Sequence, residues 1–117
     1  MSTMHEITEQ TFEAEVVHAK VPVLVDFTAR WCPPCRALAP IVTALGEERK
    51  GSLVVGTVDG DAYPALAARL GVKAFPTIIV FAGGKEVARH VGLTTRDKLV
   101  RLVERAASER ATATAAR

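Results

Sequence analysis

The residues from Val21 to Thr28 read Val-Pro-Val-Leu-Val-Asp-Phe-Thr, an almost unbroken apolar run. A half-exposed strand alternates polar and apolar residues, and this run does not, so it predicts a central strand covered on both faces. Covering both faces of a sheet requires helices, and the flanking sequence supplies them. Thr8 is placed to cap a helix in which Phe12, Val16 and Ala19 share a face. Downstream, Leu38, Ile41, Val42 and Leu45 recur at helical spacing, with Gly46 near the end. Pro40 inside this segment predicts a kink.

Leu53 to Val58 reads as another strand, and Asp61 to Leu70 as a short helix with Pro64 in its first turn and Gly71 as its stop. Phe75-Pro76 leads into a strand over Thr77 to Ala82. Gly83-Gly84 then signals a two-residue hairpin into a partner strand, Lys85 to Val91. Lys85, Glu86, Arg89 and His90 make that partner a charged edge. Thr94 with Asp97 resembles a capping box. It opens a last helix lined by Leu99, Leu102, Val103 and Ala106. A short extra strand is expected near His5. Strands separated by helices favour parallel pairing, and the glycine hairpin adds an antiparallel edge. The expected class is α/β, a mixed sheet of four to five strands with helices on both faces.

At 117 residues the chain is long enough for one domain, and 49% hydrophobic residues suffice for one packed core. We read residues 1–107 as that domain. Residues 108–117 form a short Ala- and Thr-rich tail that begins as helix and frays. The net charge of +2 is too small and too evenly spread for a dedicated nucleic-acid or anionic-membrane surface. The apolar runs are of strand length, far short of the roughly 20 residues of a membrane helix. Met1 to Phe12 has no basic segment followed by an apolar stretch, so the expected location is cytoplasmic. A monomer is the default expectation.

A compartment that keeps thiols reduced gives structural disulfides little use, so the spacing of the two cysteines carries the argument. Trp31-Cys32-Pro33-Pro34-Cys35 stands where the buried strand gives way to a helix. Positions three apart on a helix share a face, so the two sulfurs can come within bonding distance. Cys32 falls at the helix N-terminus, where unpaired amides and the macrodipole favour a thiolate. Pro33 and Pro34 suit a first turn, where no amide donor is missed. Cys35 lies one turn deeper. The roles are therefore unequal: Cys32 is the exposed nucleophile that attacks a disulfide, and Cys35 resolves the mixed disulfide. A static bridge, a pair of inert thiols and half a zinc site are the alternatives. Zinc requires two further ligands, there is no third cysteine, and His5, His18 and His90 lack ligand spacing.

Asp26 breaks the local pattern. A carboxyl in the middle of Val23-Leu24-Val25-Asp26-Phe27 should be desolvated, and burial raises its pKa. Behind the cysteine pair it could take the Cys35 proton when that thiol becomes a nucleophile. The alternative is a strand-end aspartate paired with a base. Trp31 would flank the cysteines and offer a flat apolar surface to partners, or simply pack.

The motif Trp31-Cys32-Pro33-Pro34-Cys35, with Val25-Asp26-Phe27 before it and Phe75-Pro76-Thr77 after it, resembles the active-site sequence of the thioredoxin family. The likeness runs over about residues 5 to 107. It implies a thioredoxin fold and a protein-disulfide reductase with no bound cofactor, working by reversible formation of a Cys32–Cys35 disulfide. It further implies a cis Phe75–Pro76 bond facing the cysteines, Asp26 as the buried proton acceptor, and a client-binding surface of Trp31, Pro33, Pro34, Phe75, Pro76 and Gly92. The Phe75 backbone would pair with an extended client segment, and Gly92 would let that segment come close. For Gly92 the alternative is an end-of-strand turn. The implied partners are disulfide-containing client proteins and a thioredoxin reductase that draws on NADPH. The nucleotide belongs to that partner, because no Gly-x-Gly-x-x-Gly loop occurs here.

The chain departs from the family pattern at four positions. Pro33 stands in place of a glycine, Thr28 in place of a tryptophan, Thr57 in place of a lysine, and Gly60 in place of a strand aliphatic. None of these removes a reacting group. A disulfide oxidase or isomerase, and an interaction module with dispensable thiols, stay open as other readings.

Overall fold

The computed structural model describes residues 5–115. Five strands form one mixed sheet in the order β1-β3-β2-β4-β5. They are β1 (His5–Glu6), β2 (Val23–Thr28), β3 (Val54–Asp59), β4 (Thr77–Ala82) and β5 (Lys85–Val91). Three helices accompany them: α1 (Pro33–Glu48), α2 (Pro64–Arg69) and α3 (Arg96–Ala115). The apolar run lies at the centre as β2, hydrogen-bonded to β3 on one side and β4 on the other.

Alternation along β2 divides the core in two. Val23, Val25 and Phe27 join Phe12, Val16, Leu66 and Ala67 on one face of the sheet. Leu24 joins Leu38, Val42 and Leu45 of α1 and Leu99, Val103 and Ala106 of α3 on the other. β4 splits the same way, with Ile79 and Phe81 in the first cluster and Ile78 and Val80 in the second. Both faces of the inner strands are thus apolar because both are covered. By the same two-residue period, Asp26 points to the α1 side.

The direction of β4 differs from expectation. It is reached through a helix and yet runs antiparallel to β2, with Phe27 opposite Thr77. The cause is the length of α2. Its six residues rise about 9 Å, whereas a parallel crossover must recover the roughly 20 Å of a six-residue strand. The chain therefore turns back near the end of the sheet where β3 left it.

Two local expectations are also revised. The segment after Thr8 keeps its buried face of Phe12 and Val16, and the Thr8 hydroxyl accepts from the Thr11 N–H at 3.2 Å. It then closes as a π-helical turn over Glu13–Val17, with the His18 N–H donating to Glu13 O at 3.0 Å, rather than as an α-helix. At α3 the cap is Thr95, whose hydroxyl accepts from the Lys98 N–H at 3.3 Å. Thr94 is buried and its hydroxyl has no partner, because the helix starts one residue later than the Thr94–Asp97 pattern implies. The Ala- and Thr-rich stretch continues α3 to Ala115.

The Gly83-Gly84 hairpin forms, with both glycines at positive φ. β5 is the edge strand. Its register steps from Val80–Ala88 to Phe81–Glu86, which leaves Val87 as a bulge, a feature that protects an exposed edge.

Candidate active site

Because β4 runs against β2 and β3, four chain segments meet at one end of the sheet. They are the exits of β2, β3 and β5 and the entry to β4. Cys32, Gly60 with Asp61, Phe75-Pro76 and Gly92 lie on these segments. The resemblance implied that Phe75-Pro76 faces the cysteines and that Gly92 shares their client surface; the antiparallel turn is what gathers them and adds Gly60 and Asp61.

Cys32 is the N-cap of α1 and Cys35 lies in its first turn, as the prolines at the first two helical positions allow. The two are joined in a disulfide with Cα atoms 5.3 Å apart. The Cys35 N–H donates to Cys32 Sγ at 3.3 Å. This is one of the unpaired amides of a helix start, and it would stabilise negative charge on that sulfur. Cys32 Sγ also lies 3.6 Å from the Phe75 carbonyl oxygen. The Phe75–Pro76 bond is cis, as the resemblance implies.

The expected difference in exposure is not found in this disulfide-bonded form. Cys32 and Cys35 are each only 2% exposed. Ala29 and Phe75 pack beside the pair, and the Cys32 N–H is held by Ala29 O at 3.3 Å. What distinguishes the two sulfurs is their place on the helix. Cys32 sits between exposed Trp31 and exposed Pro33 and Pro34, and Cys35 is followed by the body of α1.

Asp26 is buried, at 1% exposure, and shares the α1 side of the sheet. Its Oδ1 has no hydrogen-bond partner. Desolvation alone pushes its carboxyl from 3.8 to about 7. Thr57 lies opposite it in register, but its hydroxyl donates to the Asp26 backbone oxygen at 3.1 Å and leaves the carboxyl unassisted. Among the described residues no base pairs with this aspartate. A neutral-range pKa suits a group that must both accept and release a proton near pH 7.

Trp31 is 66% exposed, and its indole N–H donates to Asp61 Oδ2 at 2.9 Å. No local pattern signals this bond, because the partner is 30 residues away and looks like an ordinary helix-start acid. Gly92 has φ +96°, a region most residues avoid, and its N–H donates to Pro76 O at 2.8 Å. Nothing lies within 4 Å of where a Cβ would stand, so backbone conformation, and not crowding within the chain, selects glycine. Val91 and Leu93 beside it are exposed. Trp31, Val91 and Leu93 are the large apolar side chains that face solvent among the described residues, and all three adjoin the cysteine end of the sheet.

Among the described residues no three His, Cys, Asp or Glu side chains gather as metal ligands. No described helix is long and apolar enough to cross a membrane.

Comparison with known proteins agrees with this geometry. The family model for thioredoxin matches residues 3–105. Thioredoxin 1 of Nostoc sp. is 38% identical over 105 residues, which cover 90% of this chain and 98% of that protein. The thioredoxin of Porphyra purpurea is 36% identical over 97 residues, covering 83% and 91%. A bifunctional thioredoxin reductase/thioredoxin of Mycobacterium leprae is 40% identical over 96 residues, covering 82% of this chain and 21% of that one. With a cysteine pair capping a helix at one end of a mixed sheet and likeness along nearly its whole length, the chain belongs to the thioredoxin family and is a thiol-disulfide oxidoreductase.

Proposed function

We propose that the chain is a cytoplasmic protein-disulfide reductase in which Cys32 attacks and Cys35 resolves. The observation that carries the assignment is the Cys35 N–H directed at Cys32 Sγ. It favours the Cys32 thiolate at the helix start, whereas Cys35 lies within the first turn and supplies that donor. In the dithiol form, Cys32 Sγ attacks one sulfur of a client disulfide. A Cys32–client disulfide forms and the first client thiolate leaves. Cys35 then attacks Cys32 Sγ, the bond to the client breaks, and the second client thiolate leaves. The client gains two electrons and two protons, and the chain returns to the disulfide form. Asp26 takes the Cys35 proton as that thiol becomes a nucleophile; its burial, its neutral-range carboxyl and its place on the α1 side support this.

The client lies over Trp31, Pro33, Pro34, Phe75, Pro76 and Gly92, its extended backbone pairing with that of Phe75. The nearness of Phe75 O to Cys32 Sγ and the exposed apolar rim of Trp31, Val91 and Leu93 support this placement. The electrons come from a separate thioredoxin reductase using NADPH, a reading supported by the Mycobacterium leprae relative named for both activities. A reductase so fed belongs in a compartment that keeps thiols reduced. The domain works as a monomer spanning residues 1–107.

Replacement of Cys35 by serine tests the order of events. With insulin as client, Cys35→Ser should accumulate a mixed disulfide through Cys32, and Cys32→Ser should form none. A trapped adduct on Cys35 in Cys32→Ser, at the wild-type rate, would reverse the assignment. Full reductase activity in Cys32→Ser would exclude Cys32 as the nucleophile.

A further inference from the structure

Gly60 follows β3 directly and is buried, its N–H held by Thr28 O at 2.8 Å. A Cβ there would lie 2.2 Å from Phe75 Cζ, 2.3 Å from Cε1 and 3.3 Å from Cε2. The outer edge of the Phe75 ring therefore occupies the space of a missing side chain. Gly60 is not among the glycines at positive φ, so the ring, and not the backbone conformation, accounts for glycine here. The same phenylalanine packs against Ala29, Cys32 and Cys35 and against the first core cluster. Its carbonyl oxygen stands 3.6 Å from Cys32 Sγ. One side chain thus ties the exit of β3 to the segment that faces the nucleophile.

We propose that Gly60 is a positioning residue for disulfide exchange: its bare Cα seats the Phe75 ring, and that seat holds the Phe75–Pro76 backbone in register with Cys32 for a protein client. The inference rests on reading Phe75–Pro76 as the client-binding segment. With the seat filled, the ring must move, and the backbone that carries it moves too. Displacements of this kind near a reacting centre cost affinity and rate out of proportion to their size. A small disulfide that needs no backbone pairing does not sense the displacement.

The test uses Gly60→Ala, Phe75→Leu and the double variant, because leucine lacks all three ring atoms that crowd the new Cβ. Each is assayed against insulin and against Ellman's reagent, with thermal unfolding measured alongside. Gly60→Ala should raise KM for insulin about tenfold and leave the rate with Ellman's reagent within about twofold, and the double variant should recover most of the insulin KM. Phe75→Leu alone, which leaves the seat empty, should raise the insulin KM about threefold. It keeps the test open if Gly60→Ala does not fold. An unchanged insulin KM, an equal loss with both substrates, or no recovery in the double variant would overturn the proposal. Pro76→Ala separates the two levels. If it raises the insulin KM while Gly60→Ala does not, only the seat is refuted. If neither does, the client-binding reading falls with it.

Discussion

Replacing Asp26 by asparagine should stabilise the protein above neutral pH and lose that advantage in acid. Burial raises the Asp26 carboxyl from 3.8 to about 7, its Oδ1 is unpartnered, and the Thr57 hydroxyl is spent on a backbone oxygen. Between those two values the folded protein holds a proton that the unfolded chain has released. Unfolding free energy then falls as pH rises, and it levels off above the folded value. A rise of about three pH units at about 1.4 kcal/mol each makes the cost of charging Asp26 about 4 kcal/mol. Asparagine keeps the shape and never charges. Urea unfolding of the oxidised forms, followed by circular dichroism from about pH 4 to about pH 8, isolates this cost from any change at the cysteines. The stability difference between variant and wild type should grow by several kcal/mol across that range, in favour of the variant at the alkaline end. A difference that stays constant with pH would show that the carboxyl titrates as it does in water, and would remove Asp26 as a neutral-range proton acceptor.

Two further outcomes are expected. Gly92→Ala should lower stability by about 1 kcal/mol, because φ +96° strains any side chain, and should weaken insulin binding while leaving the Ellman's rate unchanged. In steady-state turnover Cys35→Ser should be slower than wild type by at least about a thousandfold, since the adduct has no internal sulfur to release it; turnover within tenfold of wild type would refute the resolving role.

Much of this site was legible in the sequence because its parts are local. The Cys32–Cys35 spacing, the two prolines in a first helical turn and an aspartate inside an apolar run each state a physical conflict or fit within ten residues. The two-sided burial of β2 followed from its lack of alternation, and the hairpin from Gly83-Gly84. What was not legible depends on direction or on distant contacts. Apolar patterning tells that both faces of β4 are buried but not which way the strand runs; that was decided by the shortness of α2. The π-helical turn after Thr8 keeps the same buried face as an α-helix, so periodicity could not separate them. The Trp31–Asp61 bond and the seat of Phe75 on Gly60 join residues 30 and 15 positions apart in the chain. The resemblance flagged Gly60 only as a missing aliphatic, and the ring that fills its space became visible in three dimensions. The burial of Cys32 was not legible either, because it comes from Ala29 and from Phe75, 43 positions away in the chain, packing beside the cysteine pair.

The inequality of the two sulfurs is the claim on which the chemistry depends, and competitive alkylation of the reduced protein measures it most directly. A sub-stoichiometric amount of iodoacetamide, added across a pH series and mapped by mass spectrometry, should label Cys32 first, with an apparent pKa below that of a free cysteine thiol. Labelling of Cys35 first, or of both at equal rates with an ordinary thiol pKa, would contradict it.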